Sequence, residues 1–244
     1  MRKFLRLAGL LVLLLILAGG ATLFLGYRAT QQVPDFYDEA IRLEPQVQQE
    51  AGDALEQHVL QLHNEVRQSG RWEAVFTDQQ INGWLAYDLP RKFTEALPPG
   101  VSEPRVVIDS SQARIACRYE SKRFRSVISL DLEIHLTEEP NVLAVRIHQA
   151  RAGLLPLPLK RFLDEISAKA GTADVVVRWS QVEGDPVALV TVPTRHELYP
   201  RREVHLETVE LRDGEVYVAG RSLEETARQQ ASADSSGRKR QVQR

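Results

Sequence analysis

Cysteine is almost missing from this chain: of 244 residues, Cys117 alone carries a thiol. An intrachain disulfide and a multi-cysteine metal site are thereby excluded, and the fold must hold by packing. Neither charge sign dominates, since 31 bases meet 33 acids for a net charge of −2. The sequence also lacks G-x-S-x-G, G-x-G-x-x-G, G-x-x-x-x-G-K and H-E-x-x-H patterns, so no nucleophile elbow, phosphate loop or zinc-protease helix can be placed. No internal repeat is evident. An apolar fraction of 43% with 26% charged residues is that of an ordinary globular chain, against wholesale disorder or a many-span membrane protein.

What the sequence does have is one long apolar run. Residues 7–27 contain no charged side chain, and at about 1.5 Å rise per residue such a helix covers the roughly 30 Å hydrocarbon core of a bilayer. Arg2, Lys3 and Arg6 precede the run, whereas Asp35, Asp38 and Glu39 soon follow it. The positive-inside tendency therefore predicts residues 1–6 in the cytoplasm, a single-pass anchor at 7–27, and the rest outside. A cleaved secretory signal is the rival, because Ala18-Gly19-Gly20-Ala21 offers small residues, although Leu23, Phe24 and Leu25 continue the run past them. Either outcome exports the domain. Four bases and no acid fall in residues 1–28, leaving 27 bases against 33 acids beyond. A mildly acidic domain argues against nucleic-acid binding, which needs a clustered basic face.

Along the exported part, Val33 to Tyr37 reads as a short juxtamembrane element. A long amphipathic helix follows from Pro45, with Val47, Ala51, Leu55, Val59, Leu62 and Val66 as its apolar stripe, and ends near Gly70. Thr77 and Gln80 form a capping box, with Phe76 and Ile81 as its staple, and predict a second helix through Asn82, Trp84 and Leu85. Pro98-Pro99-Gly100 closes this helical half. From Pro104 the period changes to two. Ile128, Leu130, Leu132, Ile134 and Leu136 alternate with Ser129, Asp131, Glu133 and His135, a strand wet on one side, with a turn at 137–141 and a returning strand at 142–148. Cys117 alternates with Ile115 and Tyr119 and reads as a small core residue. A bend, Gly153-Leu154-Leu155-Pro156-Leu157-Pro158, leads into a third helix over 159–170. Strands are predicted at 175–179 and 187–192. A last hairpin at 204–211 and 215–219 turns on Asp213-Gly214, and residues 222–244 read as a disordered polar tail.

Two stretches, FTDQQINGWL at 76–85 and AGLLPLPLKRFLDEI at 152–166, resemble the YpmS-like group of uncharacterised membrane-anchored bacterial proteins. The resemblance implies an exported, anchored domain and supplies no catalytic residue. A weaker likeness is to tubular lipid-binding domains, in which a curved sheet wraps a long helix around an apolar channel.

The predicted fold is therefore α+β: a curved antiparallel sheet packed on a long amphipathic helix, preceded by one N-terminal transmembrane helix, with residues 28–221 as the extracytoplasmic domain. Six histidines (58, 63, 135, 148, 196 and 205) form no defensible metal or triad spacing. His58 and His63 turn away from each other on a helix, and His135 and His148 face each other across the hairpin with no acid assigned to them. Asp131 and Glu133 share the wet face as ordinary solvated acids. No catalytic residue, metal or cofactor is expected. The one apolar constellation is Trp84 and Phe93 with the bend leucines Leu154, Leu155 and Leu157, which either bind an acyl chain or the membrane surface, or plug the core. Arg238, Lys239, Arg240 and Arg244 form a small basic cluster able to touch anionic lipid. The functional expectation is a non-enzymatic binding module for lipid or another apolar ligand. The alternative is an envelope assembly or scaffolding protein that binds another envelope protein.

Overall fold

A computed structural model of the chain describes residues 27–122, 124–157, 163, 176–194 and 202–224. The run at 7–26, the expected third helix apart from Leu163, His196 and everything beyond 224 lie outside the described residues. Among the described residues no helix is long and apolar enough to cross a membrane. The architecture is α+β, with antiparallel sheets and few helices.

After a helical stretch at residues 27–30, the described residues form the helices α1 (Asp35–Ile41), α2 (Pro45–Val66), α3 (Asp78–Tyr87) and α4 (Leu89–Lys92). Pro45 starts α2 because its missing N–H would lack an intrahelical partner at that position anyway. At the start of α3 the Thr77 hydroxyl accepts from Gln80 N at 3.2 Å, and the Gln80 side chain accepts from Thr77 N at 3.1 Å, as the sequence pattern predicts.

The long helix packs differently from its expected stripe. Gly52 is its buried residue, whereas Val47, Val59 and Leu60 are 36%, 50% and 60% exposed. Helix α2 lies on α3 and on strand β1 (Gly70–Thr77). Its crossing with α3 is a meeting of backbones: a Cβ on Gly83 would stand 2.5 Å from Gln48 O and 2.7 Å from Gly52 N. Of the expected stripe, Ala51, Leu55, Leu62 and Val66 are half-buried and Val47 and Val59 stay exposed, while Leu60 lies off the stripe.

Strand β1 replaces the expected plain connection between the helices. It pairs with β10 (Glu215–Glu224), which pairs with β9 (Arg202–Arg212), giving a three-stranded antiparallel sheet. Trp72 is buried where Gly220 makes room, since a Cβ there would lie 2.3 Å from the indole ring. Strand β10 runs to Glu224, past the tail boundary expected at 221, because Ser222 is fully buried with its hydroxyl donating to Val66 O at 2.7 Å. In the hairpin turn, Gly214 alone takes positive φ (+75°).

The larger sheet has the order β2-β3-β4-β5-β8-β7, with β6 (Leu155–Pro156) on the end of β5. Its strands are β2 (Val101–Ile108), β3 (Ala113–Glu120), β4 (Arg125–Leu136), β5 (Val142–Ala152), β7 (Val176–Val182) and β8 (Asp185–Thr191). Clean alternation fails along β4 at residues 126–129, which are all buried. Neighbouring strand residues point to opposite faces, and both faces are covered here. Fully buried Tyr37 of α1 packs with Val127 and Ala116, while the Ser126 hydroxyl donates to Thr30 O at 2.7 Å. Ser129, expected in water, is accordingly 6% exposed.

Two asparagines close strand edges. Asn82 of α3 donates to Val106 O at 2.6 Å and accepts from Val106 N at 2.8 Å, so one side chain stands in for a missing strand beside β2. Asn141, in the β4–β5 turn at φ +58°, donates to Val204 O at 2.7 Å and accepts from Leu206 N at 2.8 Å on β9. Gly214 N donates to Ile108 O at 2.8 Å and ties the other end of the β9–β10 hairpin to β2.

Removing the Asn82 amide leaves the buried N–H and C=O of Val106 unpaired, each costing about 1–3 kcal/mol, whereas the groups that Asn141 pairs on Val204 and Leu206 are half-buried. Asn82→Ala is expected to lower unfolding free energy by about 2–4 kcal/mol in urea titrations, and Asn141→Ala by less. Gly83→Ala is expected to destabilise by about 1–3 kcal/mol despite alanine's better helix propensity, because the contact at Gln48 O is backbone and cannot yield cheaply.

Candidate functional site

The predicted apolar constellation divides into two groups. Trp84 and Phe93 come together, with ring centroids 5.7 Å apart and planes tilted by 46°, and Phe93 is 52% exposed. The indole N–H donates to Glu56 of α2 at 3.2 Å, and Lys92 pairs with both Glu56 and buried Asp88, the latter at 2.9 Å. The Lys92 hydrogen bond holds the Glu56 carboxyl below its ordinary range. This arrangement ties α2 to α3 and α4 and leaves the Phe93 ring facing solvent.

Leu154, Leu155 and Leu157 belong to a bend held by a different part of the chain. Leu154 N donates to Ala29 O at 3.0 Å, Gly153 N to Val127 O at 2.8 Å, and Leu157 N to Ala150 O at 2.8 Å. Leu154 and Leu155 are exposed and Leu157 is half-buried. Gly153 has φ +58°, and a Cβ there would stand 2.4 Å from Ala29 O, so glycine is required by both conformation and contact.

The histidine expectation needs correction. His135 lies opposite Ala144, and His148 occupies the extra position of a bulge: Asp131 pairs with Gln149 and Leu132 with Ile147, leaving His148 between them. A bulge re-aims the side chain it carries. His148 Nε2 lies 3.0 Å from Glu133 Oε2, and Nδ1 lies 3.1 Å from Asp185 Oδ2 on β8. Only a ring with a proton on each nitrogen donates to both at once. Arg146 adds a bond to Asp185 at 2.8 Å and one to Glu183 at 3.0 Å. Asp185 is thus held below the usual carboxylate range, first by the Arg146 hydrogen bond, then also by His148.

The group Glu133, His148, Asp185, Arg146 and Glu183 is what sequence reasoning missed. The register predicted from alternation gives no bulge, and Asp185 lies 37 positions from His148. The polar character of Glu133, Arg146 and His148 on one hairpin was the available signal. Chemically, both imidazole nitrogens face carboxylates, which sit on separate sides of the ring. Among the described residues no group of three acids, histidines or cysteines could hold a metal ion. Cys117 is half-buried and its thiol is pushed up to about 11 by desolvation, so almost no thiolate exists at neutral pH.

Searches among known protein families, curated proteins and solved structures find no match to this chain.

Because Asp185 is lowered in the folded state, its pairing contributes in full above the unfolded value near pH 4 and is lost as pH falls through the lower folded value. The difference in Tm between the wild type and Asp185→Asn, present at pH 5, is expected to shrink progressively as pH is lowered below 4 in thermal melts.

Proposed function

We propose that the chain is a membrane-anchored, extracytoplasmic, non-enzymatic binding module for lipid or another apolar ligand. The observation that carries this reading is the absence of slack between the apolar run and the domain. Residues 27–30 are helical, Thr30 is 8% exposed, its carbonyl accepts from Ser126, and the Gln31 side chain donates to Arg125 O at 2.7 Å. The chain thus enters its core within a few residues of the run's end, and a helix through residues 7–27 would hold the domain at a set height above the bilayer. The stretches that resemble the YpmS-like group support the same arrangement.

For the ligand, the support is chemical. Phe93 presents an exposed aromatic face beside Trp84, and such a pair offers apolar area at low entropy cost.

A second reading, an envelope scaffold, is favoured by one specific feature. Among the described residues β7 pairs on one side only, with β8, and Val176 and Val182 are 60% and 46% exposed. An exposed strand edge is a template for strand addition by a partner.

Protease added to intact spheroplasts is expected to digest the domain while sparing a fragment that contains residues 1–27. Full protection until lysis would remove the proposed address. The ligand is tested on the full chain in detergent by native mass spectrometry. Retained lipid that diminishes several-fold in Phe93→Ser supports the module, and a bare protein mass under gentle conditions counts against it.

A further inference from the structure

The bend at residues 153–157 has features that its role as a plug would not require. A core plug turns its apolar side chains inward, yet Leu154 and Leu155 are 56% and 38% exposed, and Pro156 between Leu155 and Leu157 is exposed as well. Nor are they loosely held. Gly153 N is bound to Val127 O, Leu154 N to Ala29 O, and Leu155 pairs with Ala152 in the ladder of β5 and β6. The two leucines are therefore presented on a fixed backbone, which lowers the ordering cost of any contact they make.

Their position relative to the apolar run decides what that contact is. The carbonyl that holds Leu154 belongs to Ala29, two residues after Tyr27, where the charge-free run ends. At about 1.5 Å per helical residue, Ala29 stands roughly 3 Å beyond the end of the run. The headgroup layer on each side of a bilayer is about 5–7 Å deep, so a spanning helix that ends at Tyr27 puts the bend inside that layer. Tyr27 itself is 62% exposed and Arg28 is exposed beside it. An aromatic ring next to two exposed leucines matches the composition of a membrane interface, where aromatic rings sit at headgroup level.

We infer that residues 153–157 form a rigid seat on the outer leaflet, with Leu154 and Leu155 inserted among the lipid headgroups next to the anchor. The occupant of this apolar surface is the bilayer that the chain's own residues 7–27 enter, and the inference rests on the anchor reading above. The seat gives the module a second point of attachment, so that the domain is fixed in orientation as well as height. Gly153 is the positioning residue: it permits the left-handed turn and the close approach to Ala29 and Thr30 that aim the leucines outward.

The test uses the full chain in phospholipid nanodiscs, with Cys117→Ala as background and single cysteines at Leu154→Cys, Leu155→Cys, Val182→Cys and Leu14→Cys, each carrying an environment-sensitive fluorophore. Lipids with a nitroxide quencher near the headgroup or deep in the acyl chain report depth. Labels at 154 and 155 are expected to be quenched at least threefold more by the shallow nitroxide than the label at 182, and the label at 14 by the deep one. Quenching at 154 and 155 no greater than at 182 overturns the seat. If the label at 14 is quenched while those at 154 and 155 are not, the seat alone falls. If none is quenched, the anchor falls with it. Quenching at 154 and 155 without quenching at 14 retains the seat as peripheral attachment and removes the anchor.

Discussion

A strand at the edge of a sheet carries N–H and C=O groups that must find partners if they are not to be left in water or buried unpaired. In this protein the asparagine clamps meet that demand at two places, and the relation between the two sheets follows from them. Asn82 pairs both backbone groups of Val106 and so binds α3 to the rim of the larger sheet. Asn141 bonds Val204 and Leu206 and so binds the β4–β5 turn to the rim of the smaller one. With Gly214 bonded to Ile108, the β9–β10 hairpin is fixed at both ends. Asparagine suits the task because its amide offers a donor and an acceptor together, and at Asn141 it also tolerates positive φ.

The same preference for backbone contact over side-chain bulk appears wherever elements meet closely. Gly52 and Gly83 let α2 and α3 touch, Gly220 admits the indole of Trp72, and Gly153 lets the bend lie against Ala29 and Thr30. Farther along helix α2, Val59 and Leu60 stay exposed. The domain is consequently built from close crossings and clamped edges, with the entry segment at residues 27–31 hydrogen-bonded to β4 and to the bend at Leu154. Those bonds at the entry are what support the proposal of an anchor without slack.

Much of the fold was legible in the residues, and the reasons are local. The capping box at Thr77 and Gln80 and the Pro45 start each depend on groups within a few positions, so they survive folding unaltered, whereas the alternation at residues 128–136 gave a strand but not its burial, since Ser129 is covered on the face expected to be wet. Strand β1 was missed although Trp72, Ala74 and Phe76 alternate with exposed Arg71, Glu73 and Val75, because the run is short and its pairing partner lies some 150 positions away. Of the candidate site, Trp84 on α3 and Phe93 just past α4 meet, because the two helices are joined through Asp88. The backbone of the leucine bend is held by the entry segment and by β4 and β5, partners that no local pattern reveals. The polar group around His148 was hidden for another reason: a bulge is one residue of slippage between strands, which a period-two pattern on either strand alone does not reveal.

By itself the sequence determined where the second and third helices start, that the last hairpin turns at Asp213-Gly214, where a charge-free run of membrane length lies, and that no disulfide or cysteine-based metal site could stabilise the domain. These follow from spacing, capping and composition, all properties of short stretches. The tertiary structure decided what each exposed group faces: which edges the asparagines close, which carboxylates flank His148, and where the two leucines are aimed. Those outcomes depend on contacts between residues far apart in the chain, whose geometry exists only once both partners are fixed by everything packed around them.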